Sequence, residues 1–338
     1  MSKSNNIEVM DKIGRVPFWK KAELAVTVRI KNGLAALTEF FTGIPSAEYT
    51  DRKRDRRIFV GRDGKVRIPL LGFQIAFGCN LKCEHCCLMN PFQSGVSSKE
   101  VLIDSFRRWS EILVPKKIYL SGGEPFLHPE ITDVAAAVKR YFPHSRLDII
   151  TNAVLLPKID DRILQTLARM NVHLNISIHQ NTSEYLAALN QTLDRLRHFR
   201  LRYKTNDSFY GWQKFLETAE TGEPIPANSN PATAWKNCSG HHCIAVIEDK
   251  LYRCNRLAYM IHALQAGEIG LEWSRVLSHK PVTPDNSPEE IRNYLRMRGM
   301  PECSVCPERP VQVPARQLST EEVLRIKQHI RQKNKEAA

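Results

Sequence analysis

The stretch "LLGFQIAFGCNLKCEHCCLMN", Leu70 to Asn90, organises the reading of the whole chain. Its opening "LLGFQIAF" is almost continuously apolar, the pattern of a strand buried on both faces of a parallel sheet. Directly after it come four cysteines within nine positions: Cys79, Cys83, Cys86 and Cys87. Ligands of open parallel sheets bind beyond the C-terminal ends of the strands, so these thiols stand where chemistry is done.

The rest of this region repeats the theme. "SSKEVLIDSFRRWSEIL" reads as a helix opened by a capping box from Ser97 to Glu100. "KKIYLSG" is a strand, and "PEITDVAAAVKRYF" a helix with Pro129 at its start. "RLDIITN", "DDRILQTLARM", "VHLNISIH" and "SEYLAALNQTLDRLRHF" continue as strand, helix, strand and helix, and "RLRYKT" supplies a fifth strand. This alternation predicts an α/β fold with parallel strands covered by helices, an open partial barrel. The unusual residues all follow strands: the cysteine loop, "SGGEP", "TNA" and "SIH".

Around this core the chain divides into five segments. Residues 1–68 form a basic extension, with a helix over Ala22 to Phe41 and a hairpin turning at Asp63-Gly64. Residues 69–210 are the barrel core. Residues 211–235, rich in Pro, Asn, Ala and Glu, are a connection. Residues 236–310 carry the other five cysteines, and 311–338 end in a basic amphipathic helix that frays at its tip.

Bulk properties narrow the function classes. The chain has 338 residues, 42% hydrophobic, enough for a sizeable core. No run approaches the roughly 18–20 apolar residues of a membrane span, and the start lacks the apolar core of a signal peptide, so a cytoplasmic location is expected. Nine cysteines in a reducing compartment point to metal or catalysis instead of disulfides. The net charge of +13 begins with "DRKRDRR", Asp51 to Arg57, which is a solvated turn or a landing site for an acidic partner. No aromatics interleave with it, which favours a small anionic substrate over nucleic acid.

Cys79, Cys83 and Cys86 are spaced C-x3-C-x2-C. Three thiolates of one loop suit three irons of a [4Fe–4S] cube, leaving the fourth iron open to a ligand. Zinc would want a fourth donor, for which Cys87 or His85 is at hand, and plain buried thiols are the bland alternative. In "GGEP", Gly122 and Gly123 allow close backbone approach to a ligand, and Glu124 offers a carboxylate to an ammonium group. Alone, this motif is an ordinary β-to-α turn.

Together the two motifs resemble the radical S-adenosylmethionine (SAM) superfamily, over roughly Leu70 to Thr205. The resemblance implies a partial (β/α)6 TIM-like barrel. It implies that Cys79, Cys83 and Cys86 hold a [4Fe–4S] cluster whose open iron binds SAM, and that Gly122, Gly123, Glu124 and Pro125 meet the SAM amino group. It implies an electron donor such as flavodoxin or ferredoxin. His85 stands where relatives carry a larger aromatic near adenine, and Thr151-Asn152-Ala153 where many have Thr-Asn-Gly. By position, the resemblance implies Asn152 and Ser177 as SAM contacts. His179 lines the substrate cavity or is a structural hydrogen-bonder. Cys87, one thiol too many for the motif, reads as a small buried hydrophobe.

The second cysteine set, Cys238, Cys243, Cys254, Cys303 and Cys306, resembles the twitch domain, a short SPASM-type iron–sulfur domain holding one auxiliary [4Fe–4S] cluster. The resemblance implies Cys238, Cys254, Cys303 and Cys306 as ligands, with Cys243 as an alternative to Cys238 or beside an open site. Glu248-Asp249 stands where the family has an Asp-Gly turn, so its geometry departs from the pattern. A zinc-ribbon-like site is the competing reading, and His241 and His242 read as turn residues. The expected function is a radical SAM oxidoreductase or epimerase acting on a carbohydrate-like or anionic small molecule. A peptide maturase is the alternative within the class, and a redox-inactive zinc-binding module the alternative outside it.

Overall fold

The computed structural model describes residues 55–209, 212–238, 240 and 243–337. The expected Ala22–Phe41 helix, the first four residues of the "DRKRDRR" run, His241 and His242 lie outside the described residues. Strands β1 (Phe59–Val60) and β2 (Val66–Ile68) form the hairpin around Asp63-Gly64. β3 (Leu71–Ala76) leads into the cysteine loop, then α1 (Lys99–Ile112), the short β4 (Leu113–Pro115) and β5 (Lys117–Gly122). The alternation runs on through α2 (Ile131–Tyr141), β6 (Arg146–Thr151), α3 (Asp161–Arg169), β7 (His173–Ile178), α4 (Ser183–His198) and β8 (Arg202–Asp207). β3, β5, β6, β7 and β8 are parallel neighbours in that order.

Local chemistry explains these elements. All six residues of β3 are buried, and Phe73 meets Phe106 of α1 edge-on at 4.7 Å. Ser98, not Ser97, caps α1 by accepting from the Val101 N–H, so the expected capping box lies one residue downstream and lacks its reciprocal Glu. Asp160 and Thr182 cap α3 and α4 in the same way. α2 begins at Ile131, beyond the Pro129 expected to open it.

The remaining elements are β9 (Gln213–Lys214), β10 (Glu217–Thr218), β11 (Pro224–Ile225), α5 (Pro231–Asn237), β12 (Ala245–Ile247), β13 (Lys250–Tyr252), α6 (Asn255–Gln265), α7 (Pro288–Arg296), β14 (Val311–Gln312) and α8 (Thr320–Glu336). The 211–235 connection thus contains a small hairpin, β10–β11, and most of α5. The β12–β13 hairpin, which falls inside the 236–310 segment, does not stand apart: β12 pairs in parallel with β3, Ala245 opposite Gly72 and Val246 opposite Phe73. The full sheet order is β13-β12-β3-β5-β6-β7-β8, six parallel strands in a row with one antiparallel edge. A Cβ on Gly72 would lie 3.0 Å from the Ile244 carbonyl oxygen, which is why a glycine sits at this pairing. The turn between β12 and β13 places both Glu248 and Asp249 at positive φ, 48° and 64°, the backbone a two-residue hairpin needs, here without glycine. An Arg108–Asp249 ion pair ties that turn to α1.

A second core joins the cysteine loop to the C-terminal half. Phe77, Met89 and Phe92 of the loop region pack with Tyr252, Tyr259, Trp273, Val323, Ile326 and Ile330. The last three anchor α8, which continues to Glu336. Among the described residues no helix is long and apolar enough to cross a membrane. Tyr259 of α6 is fully buried and its hydroxyl donates to the Ala76 carbonyl at 2.9 Å, with Gln74 Oε1 at 3.2 Å. Tyr259→Phe should therefore lower unfolding free energy by about 1–2 kcal/mol in urea titrations, with the backbone strands intact by circular dichroism.

Candidate functional site

The cysteine loop leaves β3 and returns to it. The N–H groups of Phe77 and Gly78 both donate to the Gly95 carbonyl, and Ser97 N–H to Ile75. Asn90 Nδ2 donates to the Phe77 carbonyl at 2.6 Å, bracing the loop from within. Cys79 Sγ accepts from the Leu81 N–H at 3.4 Å and lies 3.6 Å from Asn152 Nδ2. Cys83 is buried and accepts from Gln317 Nε2 at 3.1 Å. Cys86 Sγ faces Asn90 Oδ1 at 3.4 Å. Burial pushes the Cys79 thiol up to about 12 and raises Cys83 and Cys86 as well. Such thiols ionise only when a cation takes the place of the proton. Cys87 is half-buried, not enclosed as a core hydrophobe would be.

Gly122 and Gly123 serve the protein's own packing. A Cβ on Gly122 would meet the Ala76 carbonyl oxygen at 2.1 Å, and one on Gly123 the Gly78 carbonyl oxygen at 1.9 Å. In return Gly123 N–H donates to Ala76 and Glu124 N–H to Gly78. Glu124 is completely buried, and Pro125 is the buried first residue of the short 3₁₀ turn that Glu124 caps. Glu124 Oε1 accepts from Thr151 Oγ1 (2.7 Å) and Phe126 N–H (3.2 Å), and Oε2 from Asn152 N–H (2.9 Å). Burial raises its pKa to about 7 despite these three donors. Asn152 Nδ2 in turn donates to Asn80 Oδ1 at 2.8 Å, returning to the cysteine loop, and Tyr185 Oη donates to the Asn152 carbonyl. Ala153 holds φ 62°, the left-handed conformation for which a glycine is the easier residue.

His85 sits at φ 57° with a buried Nδ1 that has no hydrogen-bond partner, and burial lowers its pKa. With Glu84, Cys83 and Cys86 it borders a cavity of about 240 Å³ whose other walls come from Met89, Pro91 and Phe92, the region of the β10–β11 hairpin, and α8 with the segment before it. Arg316 crosses this cavity wall, paired with Glu84 (2.7 Å) and Glu322 (2.9 Å). Ser177 is half-buried in β7, paired across the ladder with Asn206. His179 packs edge-on against Trp212 with Nδ1 3.9 Å from Cys83 Sγ, and burial lowers its pKa to about 4.

The second set of thiols gathers elsewhere. Cys238, Cys254, Cys303 and Cys306 line one cavity of about 40 Å³, together with Trp235, Arg256, Leu257 and Met300. Cys238 follows α5, Cys254 caps the start of α6, and Cys303 lies in a 3₁₀ turn that Cys306 ends. Cys243 is exposed and is not among the residues lining that cavity. Among the described residues no group of His, Cys, Asp or Glu is drawn tightly enough to hold a single metal ion, so the thiols border spaces instead of meeting at a point.

Several residues of this architecture escape a reading of local sequence. Gln317 and Arg316 reach the cysteine loop from more than 230 positions away. Arg256 lies 3.6 Å from Cys238 Sγ with its guanidinium 3.7 Å from the Phe215 ring centre. Its place two residues after Cys254, in the first turn of a helix, was the one available clue. His279 links Glu302 (3.3 Å) to the Tyr294 hydroxyl (2.8 Å) behind the second cavity.

Residues 73–206, from β3 through β8, match the model of the Radical SAM superfamily. The chain therefore carries a radical SAM domain, on the α/β fold described above, and that family uses a [4Fe–4S] cluster and SAM. Among curated proteins, the antilisterial bacteriocin subtilosin biosynthesis protein AlbA of Bacillus subtilis is 28% identical over 116 residues, 33% of this chain and 24% of that one. The GTP 3′,8-cyclase of Microcystis aeruginosa is 25% identical over 115 residues, 32% of this chain and 35% of that one. The matches thus span about a quarter to a third of the length of these relatives. A solved structure of BtrN in complex with AdoMet and 2-DOIA covers 67% of this chain and 86% of its own, at 16% identity and a TM-score of 0.39.

The residues suit such a group. Three soft donors sit on one loop, their burial disfavours free thiolates, and two buried polar atoms of the same loop, Asn80 Nδ2 and His85 Nδ1, await partners.

Two outcomes test this geometry. Gly123→Ala forces a methyl group into the Gly78 carbonyl and should cost about 3 kcal/mol in denaturant unfolding. Glu124 tests the burial. Its folded pKa of about 7 exceeds its ordinary 4.5, so its protonated form favours folding below pH 4.5 and that advantage is lost as pH rises through 7. For the ligand-free protein, the stability of the wild type minus that of Glu124→Gln should fall by about 3 kcal/mol between pH 4.5 and pH 8, measured by urea unfolding.

Proposed function

We propose that the protein is a radical SAM oxidoreductase with an auxiliary cluster, acting on a small polar molecule. The observation that carries this reading is the separation of the thiols into two sets. Cys79, Cys83 and Cys86 lie on the loop after β3, while Cys238, Cys254, Cys303 and Cys306 come from separate segments to one cavity. Three thiols leave a cube one open iron, and four complete its ligation. When bound, SAM with the first cluster supplies hydrogen abstraction from substrate, and a second cluster supplies a one-electron acceptor. Cys243 lies outside this assigned ligand set.

The chain's own residues give this chemistry its setting. Gly122 to Pro125 fix the end of β5 against the cysteine loop. Glu124 holds Thr151 and Asn152 in place, and Asn152 braces the loop at Asn80. The buried Glu124 supports this turn first, and through it presents the strand ends to SAM.

The cavity of about 240 Å³ is our assignment for the substrate. Its size suits a small molecule better than a folded peptide segment. Thr218, Thr221, Glu220 and Arg325 give it polar walls that match hydroxyl or charged groups, and His85 lines it beside Cys86. These features favour a carbohydrate-like or otherwise polar substrate.

Iron analysis of anaerobically reconstituted protein tests the two-set assignment. Replacing Cys79, Cys83 and Cys86 together by alanine should leave about four irons per chain. Replacing Cys303 and Cys306 should preserve formation of 5′-deoxyadenosine from SAM under dithionite while abolishing substrate oxidation. Zinc in place of iron in the triple variant would remove the auxiliary cluster and the oxidative outcome with it.

A further inference from the structure

We propose that Gln317 is a positioning residue for the first cluster and raises its reduction potential by donating a hydrogen bond to the Cys83 sulfur. The proposal rests on the reading of Cys79, Cys83 and Cys86 as cluster ligands. It adds a residue outside the matched domain and outside both motifs.

The C-terminal segment before α8 lies across the cysteine loop as a strap. Cys83 and Gln317 face each other in an antiparallel bridge. Glu84 N–H donates to the Arg316 carbonyl at 2.8 Å, and Leu318 N–H donates to the Lys82 carbonyl at 2.8 Å. The backbone is thus pinned on both sides of Gln317. Side chains reinforce it: Arg316 grips both oxygens of Glu84, at 2.7 and 2.9 Å, and the Lys82 ammonium meets the Thr320 hydroxyl.

Within this clasp the Gln317 amide has one sensible orientation. Lys82 N–H, which can only donate, points at one end of the amide at 2.9 Å. That end must be the oxygen, so the NH₂ end faces Cys83 Sγ at 3.1 Å. Cys83 is the one loop thiol met by a side-chain donor this near: Asn152 stands 3.6 Å from Cys79, and Cys86, whose sulfur takes the Leu88 and Asn90 backbone N–H groups, faces a side-chain amide oxygen.

Cys83 is only 8% exposed, so little water competes for its sulfur. A hydrogen bond to a cluster sulfur stabilises the more negative, reduced state and raises the potential, most effectively in a dry site. Radical SAM chemistry begins with that reduction. The strap therefore makes the ease of reduction depend on a segment far along the chain.

Redox titration monitored by electron paramagnetic resonance tests this. The full-length chain is used with Cys303 and Cys306 replaced by alanine, so that one cluster is observed. Gln317→Glu keeps an oxygen for Lys82 N–H and turns the other oxygen toward the sulfur. Gln317→Leu removes the amide altogether. Each should retain iron at the level of its parent and lower the equilibrium constant for one-electron reduction about tenfold, a midpoint about 59 mV more negative. The Glu variant should shift at least as far as the Leu variant. A midpoint equal to the parent's in both variants overturns the role of Gln317, as does loss of iron from both, which would make the strap a clasp for the loop and nothing more. A parent protein without any reducible cluster defeats the underlying cluster reading instead.

Discussion

The contact on which the site depends is the approach of Gly123 to Gly78. The first two parallel strands of the core end side by side, and their continuations must pass within hydrogen-bonding distance for the cysteine loop to sit over the sheet. The Gly123 and Glu124 N–H groups reach the Ala76 and Gly78 carbonyls only because no Cβ intervenes. From that seam a chain of bonds runs outward. Glu124 extends it to Thr151 and Asn152 at the end of β6, and the Asn152 side chain closes it on Asn80 and Cys79. The loops after three strands are thereby one unit. A shift in any of them moves the thiols.

This arrangement changes what the GGEP motif means in this chain. Read from sequence, its glycines promise room for a ligand and its glutamate a charge for one. In the fold the glycines are filled against by backbone, and the glutamate is enclosed with three donors. An enclosed carboxylate raised to about 7 is costly as an anion, and a nearby ligand ammonium would offset that cost. The packing role and the cofactor role are compatible because both ask for the same close, dry seam.

The legible parts of the fold were those with local, periodic signals. Continuous apolar runs and capped amphipathic helices marked β3, β5, β6 and β7 to within a residue or so and β8 to within two, and the cysteine spacing marked the loop, whereas the short β4, which pairs with β2, was read as the end of α1. What escaped had no period to show. β12 is three residues long and earns its place through Gly72 and Val246 across the sheet, a pairing no local pattern announces. For the same reason the 236–310 segment looked self-contained, although its hairpin completes the main sheet. The strap at Arg316–Leu318 is a single bridge between positions distant in sequence, and short polar stretches of that kind read as linker. Cys87 was misjudged because a spare cysteine is usually fully buried, whereas here it is half-buried, in the electrostatic reach of Arg256.

Arg256 bears on the charge state of the second thiol set. It is only 8% exposed, and among the described residues it pairs with no carboxylate. A buried guanidinium left uncompensated costs several kcal/mol, more than its stacking on Phe215 returns. Burial works against its charge, yet the neighbouring sulfurs of Cys87, Cys238, Cys254 and Cys306 push its pKa above the ordinary value. Neutral thiols would supply no such counter-charge, and burial keeps the thiol proton on Cys254, Cys303 and Cys306 when nothing replaces it. The cation and the thiols therefore compensate each other only when the sulfurs are ionised, the state that ligation of a metal by thiols in general requires. A plain hydrophobic cavity would have no use for the arginine. Its presence beside the four sulfurs that line this cavity favours a site suited to negative charge.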